Sequence, residues 1–371
     1  MKETFVCACC GETYPISELH MVEDQALCES CMNEETVICS CCGEIIRRED
    51  NAGNEDTPLC QDCYDRHYTT CSDCGRLISC SDSYYADDNE DDPLCYDCYQ
   101  RCRSHRAIHD YYYKPEPIFY GTGSRYLGVE LEIDEGGESH ENAGQILRLA
   151  NSGDELVYCK HDGSLNEGFE IVTHPMTLDF HCSQMPWESL VQKAVAMGYT
   201  SHQARTCGLH VHVNRTSFGA DEEQQDSCIA RVLYFFERHW AELLKFSRRT
   251  EAQLQQWAAR YGYKDQPREI LEHAKKGYGG GRYSCVNLQN RDTVEFRMFR
   301  GTLRYSTLIA TLQLVDHLCN LSVAMTDEEI KALSWTSFVS GIDGDTHLQL
   351  IAYLKERRLY TNEPVAMTEE V

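Results

Sequence analysis

The sequence predicts an α+β protein in two parts: an array of small zinc-ribbon-like units, then a larger domain in which helices pack on a sheet of alternating strands. Three observations predict it. Cysteine pairs recur three times in the first hundred or so residues. Four later segments alternate polar and apolar residues with a period of two, as half-buried strands do. Segments around them carry apolar residues at helical spacing.

The bounds on the chain agree. Its 371 residues leave room for two or three domains, at about 150 residues each. The 42% apolar content is enough for a core in at least one of them. A formal net charge of −26 argues against broad nucleic-acid binding, which needs a basic face, and suits a chain that holds divalent cations. The start, "MKETFVCACC", reaches cysteines before any apolar run, so no signal peptide is expected. The apolar stretch Leu308 to Met325 contains Asp316, His317 and Asn320, which fits a packed helix better than a membrane span. A cytoplasmic, reducing setting is therefore expected, where paired cysteines hold metal more often than they form disulfides.

In the first repeat Cys7 and Cys10 precede Cys28 and Cys31. In the second Cys39 and Cys42 precede Cys60 and Cys63. In the third Cys71 and Cys74 precede Cys95 and Cys98. Gaps of 17, 17 and 20 residues separate the two pairs. A two-residue gap lets two thiolates grip one face of a tetrahedral ion, and a second pair closes a four-sulfur structural zinc site. Glycine follows each first pair (Gly11, Gly43, Gly75), so the backbone can fold under the sulfur. Units this short bury little apolar area, so about three Zn²⁺ ions supply the folding energy. Ligands shared between neighbouring repeats are an alternative to one ion per repeat. Cys9, Cys41, Cys80 and Cys102 are extra. The acidic "DDNEDD" (Asp87 to Asp92) reads as a solvated loop. The expected boundaries are 1–102 for the zinc repeats, 103–122 for a linker of prolines, glycines and tyrosines, and 123–371 for the second domain.

The four alternating segments share an unusual polar face. "GVELEID" offers Glu130 and Glu132, "FEIVTHP" offers Glu170, "CGLHVHVNR" offers His210, His212 and Asn214, and "VEFRMFR" offers Glu295 and Arg297. A solvated sheet face carries lysine, threonine and serine. Carboxylates with imidazoles and an arginine form a set for metal and phosphate chemistry. Clustered carboxylates cannot all stay ionised without cations, and hard oxygen donors favour Mg²⁺ or Mn²⁺ over zinc. Arg297 can then grip phosphoryl oxygens. "KHDGSL" places Lys160 and Asp162 at a turn before the Glu170 strand, where they are candidates for cofactor contacts. "KKGYGGGRYSCVN" is a glycine-rich loop with Lys275, Lys276 and Arg282, able to cradle phosphates although it lacks a Walker ending.

Helices are expected from Asp221 to Phe246, from Pro267 to Gly277, and from Ser306 to Ala324, with "TDEE" (Thr326 to Glu329) as a capping box for another. His239, His273 and His317 on these helices are expected to be structural, as is Cys207.

In this order, "GVELEID", "KHDGSLNEGFEIVTHPM", "CGLHVHVN", "GGGRYSCVNL" and "VEFRMFRGTL" resemble the amidoligase family, whose catalytic domain is similar to glutamine synthetase and glutamate–cysteine ligase. The resemblance spans roughly residues 125 to 305 and leaves out the zinc repeats. It implies a glutamine synthetase-like curved antiparallel sheet with packed helices. It also implies an ATP-dependent carboxylate–amine ligase working through an acyl-phosphate, with divalent ions between ATP and the acceptor. Position by position, it makes Glu130, Glu132, Glu170, His210 and Glu295 metal ligands. It turns His212 and Asn214 toward the nucleotide and has Arg297 and Arg282 stabilise the transferred phosphoryl group. The expected partners are carboxylate and amine substrates, among them a protein or peptide recruited by the zinc array, and neither nucleic acid nor membrane. Two other readings use the same residues: a metal-dependent phosphoesterase, and a zinc-based interaction protein with an inactive ligase-like domain.

Overall fold

The computed structural model describes residues 4–22, 24–86, 89–104, 107–277 and 281–360, and divides into two compact units, Met1–Arg106 and Ala107–Val371.

In the first unit each repeat opens with a short antiparallel ribbon: Thr4–Val6 with Thr13–Pro15, Thr36–Ile38 with Ile45–Arg47, and Tyr68–Thr70 with Leu77–Ser79. The first cysteine pair lies in the turn between these strands. Gly11, Gly43 and Gly75 sit there at φ of 76°, 79° and 72°, a region that side chains with a Cβ enter only at a cost. Each donates its amide to the carbonyl of the repeat's first cysteine, at 3.0, 2.9 and 2.9 Å. The second pair opens a short helix in every repeat: Glu29–Glu35, Gln61–His67 and Tyr96–Ser104. The sulfurs gather within a repeat and not across repeats. Cys7, Cys10, Cys28 and Cys31 form one tetrad, Cys39, Cys42, Cys60 and Cys63 the next, and Cys71, Cys74, Cys95 and Cys98 the third, with the sulfurs of each within 4.8 Å of one another. Cys10–Cys28, Cys42–Cys60 and Cys74–Cys95 lie 3.9, 3.8 and 3.8 Å apart. The edge of a tetrahedron with zinc–sulfur bonds of about 2.3 Å is about 3.8 Å, so the geometry suits one zinc ion per repeat.

Cys9, Cys41 and Cys80 are exposed and outside the tetrads. In the acidic segment, Asp87 and Asp88 lie outside the described residues, as does the side chain of Cys102. Asn89–Leu94 pairs with Tyr84–Ala86 as an antiparallel ribbon, so the segment is not wholly the loop its composition suggested.

The second unit is built on a seven-stranded sheet. Its strands in chain order are β1 (Ile108–His109), β2 (Leu127–Ile133), β3 (Val157–Lys160), β4 (Phe169–Thr173), β5 (Gly208–Asn214), β6 (Val286–Asn287) and β7 (Thr293–Arg300). Their spatial order is β1-β3-β4-β2-β5-β7-β6, antiparallel throughout except for β1 beside β3. Leu127, Val129, Leu131 and Ile133 of β2, Leu209, Val211 and Val213 of β5, and Val294, Phe296 and Met298 of β7 are fully buried on one face. Helices cover that face. The longest, Tyr305–Ala324, touches β5 and four other helices and is buried nearly all round. It is long and apolar enough to cross a membrane by length and composition, and it lies within the core.

Two expectations are corrected by packing. The segment from Asp221 to Phe246 is not one helix: Glu222–Arg238 ends at His239, and Trp240–Ser247 begins a second. His239 turns inward and its Nε2 meets the Leu333 carbonyl at 3.1 Å. Part of the expected linker is built into the sheet unit, since Ile108–His109 supplies β1. Aromatic stacking secures it: the rings of His109 and Tyr113 lie 3.7 Å apart. Aromatic stacking has no two- or four-residue period, so the pattern alone did not show it.

Candidate active site

Register converts the four alternating segments into one polar wall. Across the sheet, Lys160 faces Glu170, Glu170 faces Glu132, Glu130 faces His210, and His212 faces Glu295, which also faces Asn287. The polar residues all emerge opposite the packed helices, because a strand sends alternate side chains to opposite faces. They line a cleft of about 830 Å³.

Glu130 is the centre of this wall. Its Oε2 lies 3.3 Å from Nδ1 of His210 and its Oε1 3.3 Å from Nε2 of His212. It belongs to two clusters of potential metal ligands, one with Glu170 and His210, the other with His212 and Glu295. Glu132 accepts the Gly208 amide at 2.5 Å and lies 3.7 Å from Nε2 of His210. Glu170 pairs with Lys160 at 3.2 Å. Glu295 binds Arg297 with one oxygen, while the other accepts from the side-chain amides of Asn287 and Asn290 at 2.8 and 3.1 Å.

A register shift on β7, opposite Leu209 to Val211, inserts an extra residue near Arg297. Bulges of this kind re-aim a side chain beside functional sites. Glu295 and Arg297 both line the cleft, while Phe296, Met298 and Phe299 are buried in the core.

The electrostatics show a site short of positive charge. Burial and then the nearby Glu130 push the Glu170 carboxyl well above the usual range, against the pull of Lys160. Burial also raises Glu132, only partly countered by His210. Burial works the same way on Glu130, but His212 and His210 outweigh it and hold that carboxyl well below its ordinary value. Glu295 is likewise lowered, since His212 and Arg297 overcome its burial. Burial disfavours the His212 cation, yet Glu130 and Glu295 raise it overall. Nε2 of His212 is buried and has no hydrogen-bond partner, although it faces two carboxylates. Hard carboxylate donors, a buried unpartnered imidazole nitrogen and the Glu132 and Glu170 carboxyls pushed toward their neutral form together fit one or two divalent cations.

Of the site residues expected from sequence, Glu130, Glu132, Lys160, Asp162, Glu170, His210, His212, Arg282, Glu295 and Arg297 all line the cleft. Arg282 stands at an exposed edge, held by the hydroxyls of Tyr111 and Tyr283 at 3.0 and 2.8 Å. Asn214 is not brought to the cleft. It binds the backbone ahead of β2 instead, accepting from the Tyr126 amide at 2.8 Å and donating to the Ser124 carbonyl at 3.0 Å. In the glycine-rich loop, Lys275 is tied to Asp226 at 2.5 Å and so points away from a phosphate role. Residues 278–280 of that loop lie outside the described residues.

Sequence reasoning missed Tyr111, Tyr112, Trp257, Asn287 and Arg249, all of which line the cleft. Asn287 was legible in principle, two residues after the buried Cys285 on a short strand. Arg249 follows a helix end and has no periodic signal.

A mostly antiparallel sheet with carboxylates, imidazoles and an arginine on one open face defines the class: an α+β domain whose cleft carries a donor set that could hold a divalent metal. Residues 147–319 match the family described as "Putative amidoligase enzyme". That span contains Glu170, His210, His212, Arg282, Glu295 and Arg297, but begins after Glu130 and Glu132. The chain thus resembles that family, and the family match supports an amide-bond ligase. No curated protein matches the chain. Among solved structures, it is similar to one described as the complex between prokaryotic ubiquitin-like protein Pup and its ligase PafA. The identity there is 8% and the TM-score 0.29, over 66% of this chain and 59% of the other. This chain thus spans under two thirds of that one, a likeness too loose to bring any property across.

Proposed function

We propose that the sheet unit is an ATP- and Mg²⁺-dependent carboxylate–amine ligase that works through an acyl-phosphate. The observation that carries this reading is Glu130, shared by two ligand clusters that meet Arg297 in one cleft. Glu130, Glu170 and His210 would hold one divalent ion, and Glu130, His212 and Glu295 a second, with Glu132 supporting His210. Bound there, the ions would supply charge neutralisation for the phosphates of ATP. A substrate carboxylate oxygen attacks the γ-phosphorus of ATP, and ADP leaves. An amine then attacks the acyl carbon and phosphate departs. An amide forms, and the amine gives up a proton. Arg297, fixed against Glu295, stabilises charge on the transferred phosphoryl group, and Arg282 does so from the edge. Such transfer depends on positioning and charge neutralisation more than on covalent help from the protein. The three tetrads hold zinc and present a contact surface for a protein or peptide substrate. The expected setting is the cytoplasm.

Incubation with ATP, Mg²⁺ and panels of carboxylates and amines tests this reading. ADP and phosphate should appear in equal amounts with an amide product, and Glu130→Ala should lower turnover by roughly 100-fold or more. Full turnover in Glu130→Ala, or ester hydrolysis independent of ATP, contradicts it.

A further inference from the structure

A second cavity, of about 440 Å³, is lined by His202, Leu244, Lys245, Arg248, Arg249 and Arg357, among others. Arg249 lines both this cavity and the cleft described above. In a chain of net charge −26, it is a concentration of cations.

Their partners are neutral. Arg248 donates to the Tyr353 hydroxyl at 2.7 Å and the Thr307 hydroxyl at 3.0 Å, and its guanidinium lies over the Tyr353 ring. Arg357 donates twice to the Lys245 carbonyl, at 3.1 and 2.8 Å. Lys245 reaches the Arg358 carbonyl at 3.2 Å. Arg249 reaches the carbonyls of Cys207 and Phe299, and its buried Nε has no partner. Arg300, next to Arg248, donates to that residue's carbonyl, and its own Nε is also buried and unpartnered. Among the described residues, no carboxylate pairs with any of these five. The guanidinium forks are held in place by neutral partners, without a carboxylate in ion-pair contact.

Two further observations point the same way. Arg248 ends its helix at φ 60°, a left-handed position usually given to glycine. A side chain kept there despite the strain marks a site where its placement matters. His202 shows the local field: burial, then Arg300, Arg248 and Arg357, push its pKa down to about 4.

We propose that this cavity binds a small multivalent oxyanion, a phosphate or a polycarboxylate, at a site separate from the cleft and joined to it through Arg249. Fixed guanidinium groups grip paired oxygens bidentately, and Lys245 adds a mobile point charge at the mouth. A bound anion adds countercharge beside Arg249, which also lines the cleft and feels the Glu132 carboxylate there. The proposal stands whether or not the unit is a ligase.

The test is titration of the full-length, zinc-loaded chain with inorganic phosphate and, separately, with tricarballylate, read by calorimetry and thermal shift. Saturable binding of at least one of them is expected, and which one tells phosphate from polycarboxylate. Lys245→Gln and Arg357→Gln, neither of which lines the cleft, should each weaken it at least tenfold. Lys245 is exposed and makes a single carbonyl contact, so its variant keeps the test open if Arg357→Gln fails to fold. The proposal is overturned if neither anion binds, which would make these cations helix-end caps only. It is also overturned if Lys245→Gln binds as tightly as wild type.

Discussion

The two units solve the same problem in opposite ways. In the repeats, the buried apolar residues are few: Val22 and Leu27 in the first, Ile46 and Leu59 in the second, Ile78 and Leu94 in the third. The rest of each small core is cysteine. In the sheet unit, one continuous core runs from Ala107 to Leu359 and the polar cluster sits apart from it on the open face. On our reading, metal is structural in the first unit and functional in the second. The difference teaches where to look when an ion is removed: at the fold of the repeats, and at the chemistry of the sheet.

Zinc removal should break the comparison most visibly. Structural zinc sites contribute an apparent binding free energy of about 10–16 kcal/mol in small metal domains. A strong chelator should therefore unfold residues 4–104 while residues 107–360 keep their amide protection in hydrogen exchange. All four tryptophans, Trp187, Trp240, Trp257 and Trp335, lie in the sheet unit. Their fluorescence should hardly change on chelation, and a large change would mean that the units do not stand independently. Conversely, Phe296→Ala removes a fully buried ring under the polar wall. It should cost the sheet unit about 3–5 kcal/mol in denaturant unfolding followed by tryptophan fluorescence, with zinc content unchanged.

Acid sharpens the contrast within the sheet unit. His181 is fully buried; its Nε2 meets the Leu127 carbonyl at 3.0 Å and its Nδ1 accepts from the Trp187 indole at 3.2 Å. Burial pushes its pKa down to about 4. The unfolded chain takes up this proton first, near the ordinary value of about 6.5. The contribution is therefore whole above about pH 6.5 and is lost as pH falls through about 4, for a total of about 3 kcal/mol. Urea midpoints followed by tryptophan fluorescence should fall over that window, and His181→Gln should flatten the fall.

Much of the site was legible because strands alternate. Glu130, Glu132, His210, His212, Glu295 and Arg297 were found from period two, Glu170 from a short apolar run that Pro175 ends, and register brought them to one wall. The tetrads were legible because two-residue gaps leave few other uses for paired thiols. What stayed hidden came from tertiary packing. Asn214 continues the alternation but lies at a strand end, where free backbone groups claimed its side chain. The break at His239 is invisible to helical spacing, which runs through it. Tyr111 and Arg249 reach the cleft from segments without period, and the bulge beside Arg297 is a property of pairing and not of one strand.

The central claim is that Glu130 is the carboxylate shared by two divalent-ion sites. Mn²⁺ binding to the zinc-loaded chain, measured by electron paramagnetic resonance with and without ATP, tests it most directly. The account predicts saturable Mn²⁺ binding that tightens with ATP, and a loss of at least tenfold in affinity in Glu130→Gln with the tetrads still filled. Unchanged Mn²⁺ affinity in Glu130→Gln would contradict it.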